Sequence, residues 1–206
     1  MTSAEDLSYD VYEGGAAATA LDSFLAAYEE VYAEPPYSEG PSDVAEFIEH
    51  YQVHVQRDHM RLIIARDGDE TVGFIYGYLL PAYTSWWNNV LVPLSKEFTH
   101  EDGTRTWVII ELAVRKPWRR QGVAARLHAQ LIRGLDVERV TLTVRPEPEA
   151  QAAQAAYAKW GYREVGTSHP WEGAPFYTAM VLPLKAPAAE HTPAPRARSF
   201  RGRSRD

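Results

Sequence analysis

The chain has 206 residues, of which 45% are hydrophobic and 12% aromatic, enough apolar material for one compact domain with a core of its own. It has no cysteine, so disulfide bonds, thiolate metal sites and a cysteine nucleophile are excluded. Its formal net charge is −7. Because binding to a nucleic-acid duplex requires clustered lysine and arginine, this acidic balance disfavours nucleic acid and suits a cationic ligand.

The two ends of the chain are polar. Residues 1–10 contain no apolar run that could serve as a signal peptide or a membrane span, so we expect a cytoplasmic protein with no membrane partner. Residues 186–206 combine proline with five arginines and have little to bury, which predicts one domain over residues 1–185 followed by a disordered tail. That tail could touch nucleic acid or a membrane surface, although a solvated tail is the simpler interpretation.

The first half of the chain predicts two helices and a hairpin. Apolar residues at helical spacing indicate a helix over residues 19–32, and Ser42 is a suitable N-cap for a second helix. Residues 61–66 and 71–80 are apolar, strand-like segments separated by the turn sequence Asp-Gly-Asp, which is typical of a β-hairpin.

The second half alternates strands with helices. Residues 107–114 are apolar on both faces, as expected for the centre of a covered sheet, and a helix follows from Gly122 to a stop at Gly134. The remaining predicted elements are a strand over residues 137–144, a helix over 147–160, and strands over 162–166 and 176–184. This order predicts an α/β domain built on one sheet.

A basic turn joins the central strand to the helix that follows it. The turn contains Arg119, Arg120 and Gly122. Because the first N–H groups of a helix have no internal acceptor and lie at the positive end of its dipole, such a turn binds phosphate groups well. An ordinary strand-to-helix loop with surface arginines would explain the same residues. A Walker loop and a G-x-G-x-x-G dinucleotide turn are both excluded.

Two short motifs follow each other in the second half of the chain, Arg119-x-x-Gly122-x-Ala124 and Ala153-x-x-x-Tyr157-x-Lys159-x-Gly161-Tyr162. They resemble the signatures R/Q-x-x-G-x-G/A and A-x-x-x-Y-x-K-x-G-F of the GNAT superfamily of N-acetyltransferases. The resemblance implies a mixed, mostly antiparallel sheet with helices on both faces. It also implies a V-shaped split between two parallel strands, here residues 107–114 and 137–144.

The resemblance further implies that acetyl-CoA is the cosubstrate and that no metal takes part. The residues that would bind the coenzyme are Leu112, Ala113, Val114, Arg119, Arg120, Gln121, Gly122, Val123, Ala124 and Lys159. One position departs from the pattern, because Ala150 stands where the family often has an asparagine. His50 and His54 have metal-ligand spacing, but no H-E-x-x-H motif accompanies them, so we expect a solvated helix face there.

Glu111 and Tyr157 are the candidate catalytic residues. Strand alternation puts Trp107, Ile109, Glu111 and Ala113 on one face, where a lone carboxylate among apolar neighbours is costly unless it has a partner. Glu111 would act as a base through water or anchor a cationic amine; the alternative is a structural ion pair with an arginine. The resemblance gives Tyr157 the role of the general acid, and a core aromatic is the alternative.

Aromatic and acidic residues near the first helices suggest an acceptor site for an amine carried on an apolar body. The candidate residues are Tyr32, Glu34, Tyr37, Trp86, Trp87 and Trp171, with Glu39 and Asp43 as further carboxylates. Alternatively, the aromatic side chains simply cover the sheet.

The leading hypothesis is an enzyme that transfers an acetyl group directly from acetyl-CoA to the primary amine of a small molecule, such as an antibiotic or a polyamine. Acetylation of a peptide or protein N-terminus or of a lysine is a close variant. A non-catalytic acyl-CoA-binding sensor is the rival from another class, and a nucleic-acid accessory role for the tail is a third interpretation. A homodimer remains possible.

Overall fold

A computed structural model describes residues 4–185 of the chain. Its strands are β1 (Ser8–Glu13), β2 (Arg61–Asp67), β3 (Glu70–Leu79), β4 (Thr106–Val114), β5 (Arg139–Val144), β6 (Arg163–Ser168) and β7 (Tyr177–Pro183). Its α-helices are α1 (Gly15–Ala18), α2 (Leu25–Tyr32), α3 (Pro41–His54), α4 (Lys96–Thr99), α5 (Val123–Ile132) and α6 (Gln151–Lys159). The predicted disordered tail lies outside the described residues.

All seven strands form one sheet in the order β1-β2-β3-β4-β5-β7-β6. Every neighbouring pair is antiparallel except β4 with β5, which run parallel. Side chains of α5 and α6 pack on one face of the sheet, and those of α2 and α3 pack on the other. The predicted mixed sheet with helices on both faces is therefore confirmed.

The parallel pair separates soon after it starts. Only Thr106, Trp107 and Val108 of β4 pair with residues of β5. Beyond Val108, the N–H and C=O groups of β4 that point toward β5 have no strand partner among residues 4–185, although β3 continues to pair with β4 up to Val114. Backbone polar groups require partners, so this opening is where a ligand can bind to the strand edge. The predicted V-shaped split is confirmed.

A β-bulge in β4 reverses the predicted orientation of Glu111. Gly77 of β3 pairs with Ile109 and the preceding Tyr76 pairs with Glu111, so Ile110 is an extra residue. Because one extra residue exchanges the two faces of a strand, Trp107 and Ile109 pack toward α5, whereas Ala113 packs toward α2. The prediction that Glu111 shares a face with Trp107 is wrong.

Four details of the elements differ from the sequence prediction. The helix over residues 19–32 is interrupted, since a 3₁₀ turn (Leu21–Ser23) precedes α2. The N-cap of α3 is Gly40 rather than Ser42, and its N–H donates to the Asp43 carboxylate at 2.8 Å. The first turn of the helix over 147–160 is also a 3₁₀ turn. Strand β1 was not predicted at all.

Candidate active site

The split between β4 and β5 opens into a cavity of about 280 Å³. Its walls are Ile110, Glu111 and Leu112 from β4, Thr143 and Val144 from β5, Ala153 and Tyr157 from α6, and residues from the ends of α2, β6 and β7 and from the segments between elements. These further residues are Tyr32, Tyr37, Glu39, Trp86, Asn89, Ser168, Pro170, Trp171 and Tyr177. The two predicted catalytic residues, far apart in sequence, thus border one cavity.

The carboxyl group of Glu111 has a tyrosine rather than an arginine as its partner. Its Oε2 accepts a hydrogen bond from the hydroxyl of Tyr32, and it forms no ion pair among the described residues. Burial raises the pKa of Glu111 to about 8, although the Tyr32 hydrogen bond acts in the opposite direction. The structural alternative of an arginine partner is therefore not what the structure shows, and Glu111 can exchange a proton near neutral pH.

A second carboxylate, Glu39, lies at the same cavity. It accepts a hydrogen bond from the hydroxyl of Tyr28 at 2.7 Å, and burial raises its pKa. Its charge also raises the pKa of Glu111. Two carboxylates without a cationic partner inside the described residues make this part of the cavity favourable for a positively charged group.

Tyr157 borders the cavity from α6. The ring lies edge-on to Trp160 and Tyr162, with centroids 5.5 and 5.6 Å away, which fixes its orientation. Burial raises the pKa of Tyr157. The hydroxyl therefore stays protonated at neutral pH and is able to donate a proton.

The turn before α5 has the geometry of an anion-binding site. Gly122 is the N-cap of α5 with φ 87°, a left-handed conformation that favours glycine, and Arg120 has φ 64°. Arg126 is the first residue of this helix whose backbone N–H has an acceptor within the helix, namely the carbonyl of Gly122. The amides of residues 123–125 precede it and have no intrahelical acceptor. These N–H groups and the open edge of β4 fit a diphosphate joined to an extended arm.

Arg119 and Glu34 are paired with each other rather than exposed to ligands. Arg119 donates from both terminal nitrogens to Glu34, at 2.8 and 3.0 Å, and from Nε to the carbonyl of Val114 at 2.8 Å. Glu34 does not border the cavity. Arg119 and Glu34 thus meet in one ion pair, and their predicted contacts with phosphate and with the acceptor stay predictions.

The other predicted ligand-binding residues fall into two groups. Leu112, Tyr32, Tyr37, Trp86 and Trp171 border the cavity. The residues that do not border it include Ala113, Val114, Arg120, Gly122 and Ala124, together with Trp87, Gln121, Val123 and Lys159. Trp87 is buried and its indole N–H donates to Glu101, whereas Gln121 donates its side-chain amide to the carbonyl of Pro117. Val123 is in the core, and Lys159 is exposed at the end of α6. The predicted ligand contacts of Trp87 and Lys159 stay predictions.

Sequence reasoning missed several residues that line the cavity, among them Tyr177, Asn89 and Ser168. Tyr177 starts β7, which pairs with β5, so the identification of β5 as one side of the split was a signal that could have pointed to it. Asn89 and Ser168 are brought together by the bridge of Val90 to Ser168. No sequence pattern marks that bridge.

The histidines of α3 show no sign of metal binding. The Nδ1 atom of His54 lies 3.2 Å from the Tyr76 hydroxyl, and burial lowers the pKa of its imidazole to about 4. His50 is exposed. Of the two histidines, only His50 therefore lies on the solvated helix face that the sequence predicts. Within residues 4–185, no three His, Cys, Asp or Glu side chains are grouped as metal ligands would be. In the same residues, no helix is both long enough and apolar enough to cross a membrane.

Known structures share this fold. A putative acetyltransferase of the GNAT family from Desulfovibrio desulfuricans matches with TM-score 0.60 and 11% identity, covering 86% of this chain and 98% of its own. The PaiA N-acetyltransferase of Thermoplasma acidophilum in complex with coenzyme A matches with TM-score 0.55 and 11% identity, covering 85% and 99%. The ribosomal-protein-S18-alanine N-acetyltransferase of Escherichia coli matches with TM-score 0.57 and 16% identity, covering 89% and 98%. At these identities the likeness establishes the fold alone.

The family itself is identified from the sequence. No curated protein sequence matches the chain. The profile of the acetyltransferase (GNAT) family matches residues 22–162, which is more than half of the 206 residues and includes both motifs, Glu111 and Tyr157. The chain therefore belongs to the GNAT family of acetyltransferases.

Proposed function

We propose that the protein transfers an acetyl group from acetyl-CoA to the primary amine of a small, cationic acceptor. The observation that carries this proposal is the pair of carboxylates, Glu111 and Glu39, at a cavity that also contains Tyr157 and several aromatic side chains. An acceptor amine is protonated at neutral pH, and these carboxylates would attract it. Tyr37, Trp86 and Trp171 would contact its apolar body.

Acetyl-CoA, when bound, supplies an acetyl group on a thioester. The amine can attack only after it has lost its extra proton, and Glu111, whose pKa is raised to about 8, would accept that proton directly or through a water molecule. A carbon–nitrogen bond then forms and the carbon–sulfur bond breaks. Tyr157 would donate its hydroxyl proton to the departing thiolate, and the amide nitrogen would release its remaining extra proton to solvent.

The coenzyme would be held by the chain at two places. The amides of residues 120–124 would bind the diphosphate at the positive end of α5. The unpaired edge of β4 around residues 112–114 would hydrogen-bond the pantetheine arm. This arrangement would direct the thioester toward Glu111 and Tyr157, which border the same cavity as Leu112.

Two other functions remain as alternatives. A peptide or protein N-terminus also carries a primary amine, and one structural neighbour is named as an acetyltransferase of ribosomal protein S18 alanine. The cavity of about 280 Å³ suits a small molecule or one terminal residue, so size alone does not separate these acceptors. A sensor that binds acyl-CoA without catalysis would not need Glu111 and Tyr157 at one cavity.

An acceptor panel tests the proposal. Thiol release would be measured with acetyl-, propionyl- and succinyl-CoA over polyamines, aminoglycosides, arylalkylamines and short peptides. We expect release above the hydrolysis background with acetyl-CoA and at least one small cationic amine. Binding of coenzyme A by calorimetry without release over any amine would support the sensor, and release over peptides alone would support the N-terminal acetyltransferase.

A further inference from the structure

Helix α2 is tied to the loop that precedes α5. Arg115 donates to Glu30 at 2.7 Å, and Arg119 holds Glu34 through both terminal nitrogens. The two pairs match in spacing, since the arginines lie four positions apart in the sequence and so do the glutamates. α2 has eight residues and no basic residue in its last turn. The two guanidinium groups therefore supply the positive charge that the C-terminal end of a short helix favours.

The same helix carries the tyrosines that contact the cavity carboxylates. Tyr28 donates to Glu39 and, one turn later, Tyr32 donates to Glu111. Tyr32 is the last residue of α2, only two positions before Glu34. The position of the Tyr32 hydroxyl thus depends on how the C-terminal end of this helix is held.

The backbone of Glu34 also starts the turn that lines the cavity. Its carbonyl accepts the N–H groups of Tyr37 and Ser38, both at 3.1 Å, and the N–H of Glu39 donates to the carbonyl of Tyr32 at 2.9 Å. Tyr37 and Glu39 border the cavity. A displacement of Glu34 would therefore move groups on two sides of Glu111.

We propose that Glu34 and Arg119 are a positioning pair, which fixes the end of α2 so that Tyr32 keeps its hydrogen bond to Glu111. Arg119 also donates to the carbonyl of Val114, at the end of the strand that carries Glu111. The pair therefore links the loop proposed to bind diphosphate with the carboxylate proposed to accept the proton. The proposed positioning role of this pair rests on the proposed function only where it concerns the role of Glu111 in turnover.

The titration of Glu111 reports this link, because the Tyr32 hydrogen bond lowers the pKa of Glu111 against the effect of burial. The titratable groups that act on Glu111 or respond to its charge come from every surrounding element. They are Tyr28 and Tyr32 of α2, Tyr37 and Glu39 of the following turn, Tyr76 of β3, Tyr157 of α6 and Tyr177 of β7. Of these, Tyr32 is the one that hydrogen-bonds Glu111.

The test is a titration of the Glu111 carboxyl carbon by NMR in protein labelled with ¹³C-glutamate, with Glu111→Gln to assign the signal. In Glu34→Ala, the pKa of Glu111 should rise by about half a unit to one unit, in the direction produced by Tyr32→Phe. The double variant Glu34→Ala/Tyr32→Phe should show no further rise over Tyr32→Phe, because both changes remove the same hydrogen bond.

Glu138→Ala is the control, since it breaks another arginine–glutamate pair, Arg105 Nε to Glu138 at 2.6 Å, away from α2. It should leave the pKa of Glu111 unchanged. An unchanged pKa in a folded Glu34→Ala protein would overturn the proposal, and so would equal shifts in Glu34→Ala and the control. If Glu34→Ala does not fold, Arg119→Lys, which keeps the charge but loses the two-pronged contact, takes its place with the same expected shift.

This readout separates the proposal from the proposed function, because it needs no turnover. A wild-type protein that acetylates no amine would contradict the proposed function, while the shift in Glu34→Ala would still support the positioning pair. Where turnover is present, the alkaline movement of the pH profile of kcat/KM should match the NMR shift. A merely structural ion pair would lower stability without moving that profile.

Discussion

The acid–base properties of the site come from where individual residues lie. A glutamate on the surface has a pKa near 4.3, whereas the pKa of Glu111 is raised to about 8, chiefly by burial. An arginine partner would have reversed that effect, because an adjacent positive charge favours the ionised carboxylate. Tyr32, an uncharged donor, holds the group in place and still allows it to bind a proton.

Glu111→Gln should abolish the pH dependence that this residue gives to the reaction. If Glu111 accepts the proton of the amine, it must be ionised, so kcat/KM of the wild type should rise with pH through about 8. In the variant, we expect kcat/KM to fall about 100-fold at pH 8.5 and the rise to disappear. A variant with the wild-type profile would show that the proton goes elsewhere. Glu164→Gln, an exposed change in β6, is the control.

Tyr157→Phe should impair the chemical step without impairing coenzyme binding. The change removes the hydroxyl of Tyr157, a residue that borders the cavity, and loss of a general acid typically lowers kcat by about 100-fold to 1000-fold. The dissociation constant for coenzyme A, measured by calorimetry, should stay within about twofold of the wild type. Tyr83→Phe removes a hydroxyl from a side chain that is 80% exposed and should change neither quantity. Undiminished turnover in Tyr157→Phe would remove this residue from the mechanism.

At the scale of elements, the bulge in β4 decides which residues reach the site. The parallel pairing with β5 ends at Val108, and the extra residue, Ile110, follows two positions later. The bulge turns the Glu111 side chain toward α2 just where the split opens. One local irregularity therefore aims the proposed base, whereas the loss of pairing with β5 provides the space beside it.

The start of α5 gives a prediction at this scale. Gly122 has φ 87°, and a side chain in this conformation costs on the order of 1–2 kcal/mol, so Gly122→Ala should displace the amides at the helix start. We expect the dissociation constant for coenzyme A to rise about tenfold. Gly134→Ala is the matched control, because Gly134 has φ 75° beyond the other end of the same helix. It should lower stability similarly without changing the affinity; equal affinities in the two variants would contradict the binding role of this turn.

The sequence was sufficient for the elements whose signals are local. The apolar run of β4, the hairpin of β2 and β3, and the glycine-bounded α5 could be predicted because propensity, periodicity and turn residues agree there. β1 could not, because none of its six residues is buried and pairing with β2 makes it a strand. The bulge at Ile110 and the pair of Glu34 with Arg119, 85 residues apart, depend on contacts that no local pattern encodes.

Considered as a whole, the molecule combines a stable sheet with a destabilised carboxylate. Apolar residues fill both faces of the sheet, while Glu111 sits at the edge of one face with no compensating cation among the described residues. Burying an ionised group without a partner is unfavourable. Keeping Glu111 ready to accept a proton should therefore reduce the stability of the fold at the pH where Glu111 is ionised.

This cost can be measured as a pH-dependent difference in stability. The pKa of Glu111 is raised from 4.5 to about 8 in the folded protein, so its contribution to stability is fully present below about pH 4.5 and is lost as the pH rises through about 8. Between pH 6.5 and pH 9, where the histidines with lowered pKa values are already neutral, the wild type should lose about 2 kcal/mol of unfolding free energy relative to Glu111→Gln.

Urea denaturation of both proteins across this pH range gives the difference directly. The variant should be the more stable protein at pH 9, and its advantage should be smaller at pH 6.5 and vanish only below about pH 4.5. The reason is that glutamine resembles the protonated carboxyl in shape and charge and can still accept the Tyr32 hydrogen bond. A difference that does not change with pH would mean that Glu111 titrates at its ordinary pKa in the folded protein. It could then not be the base that takes a proton near pH 8, and the stability lost on ionisation could not be the physical origin of its reactivity.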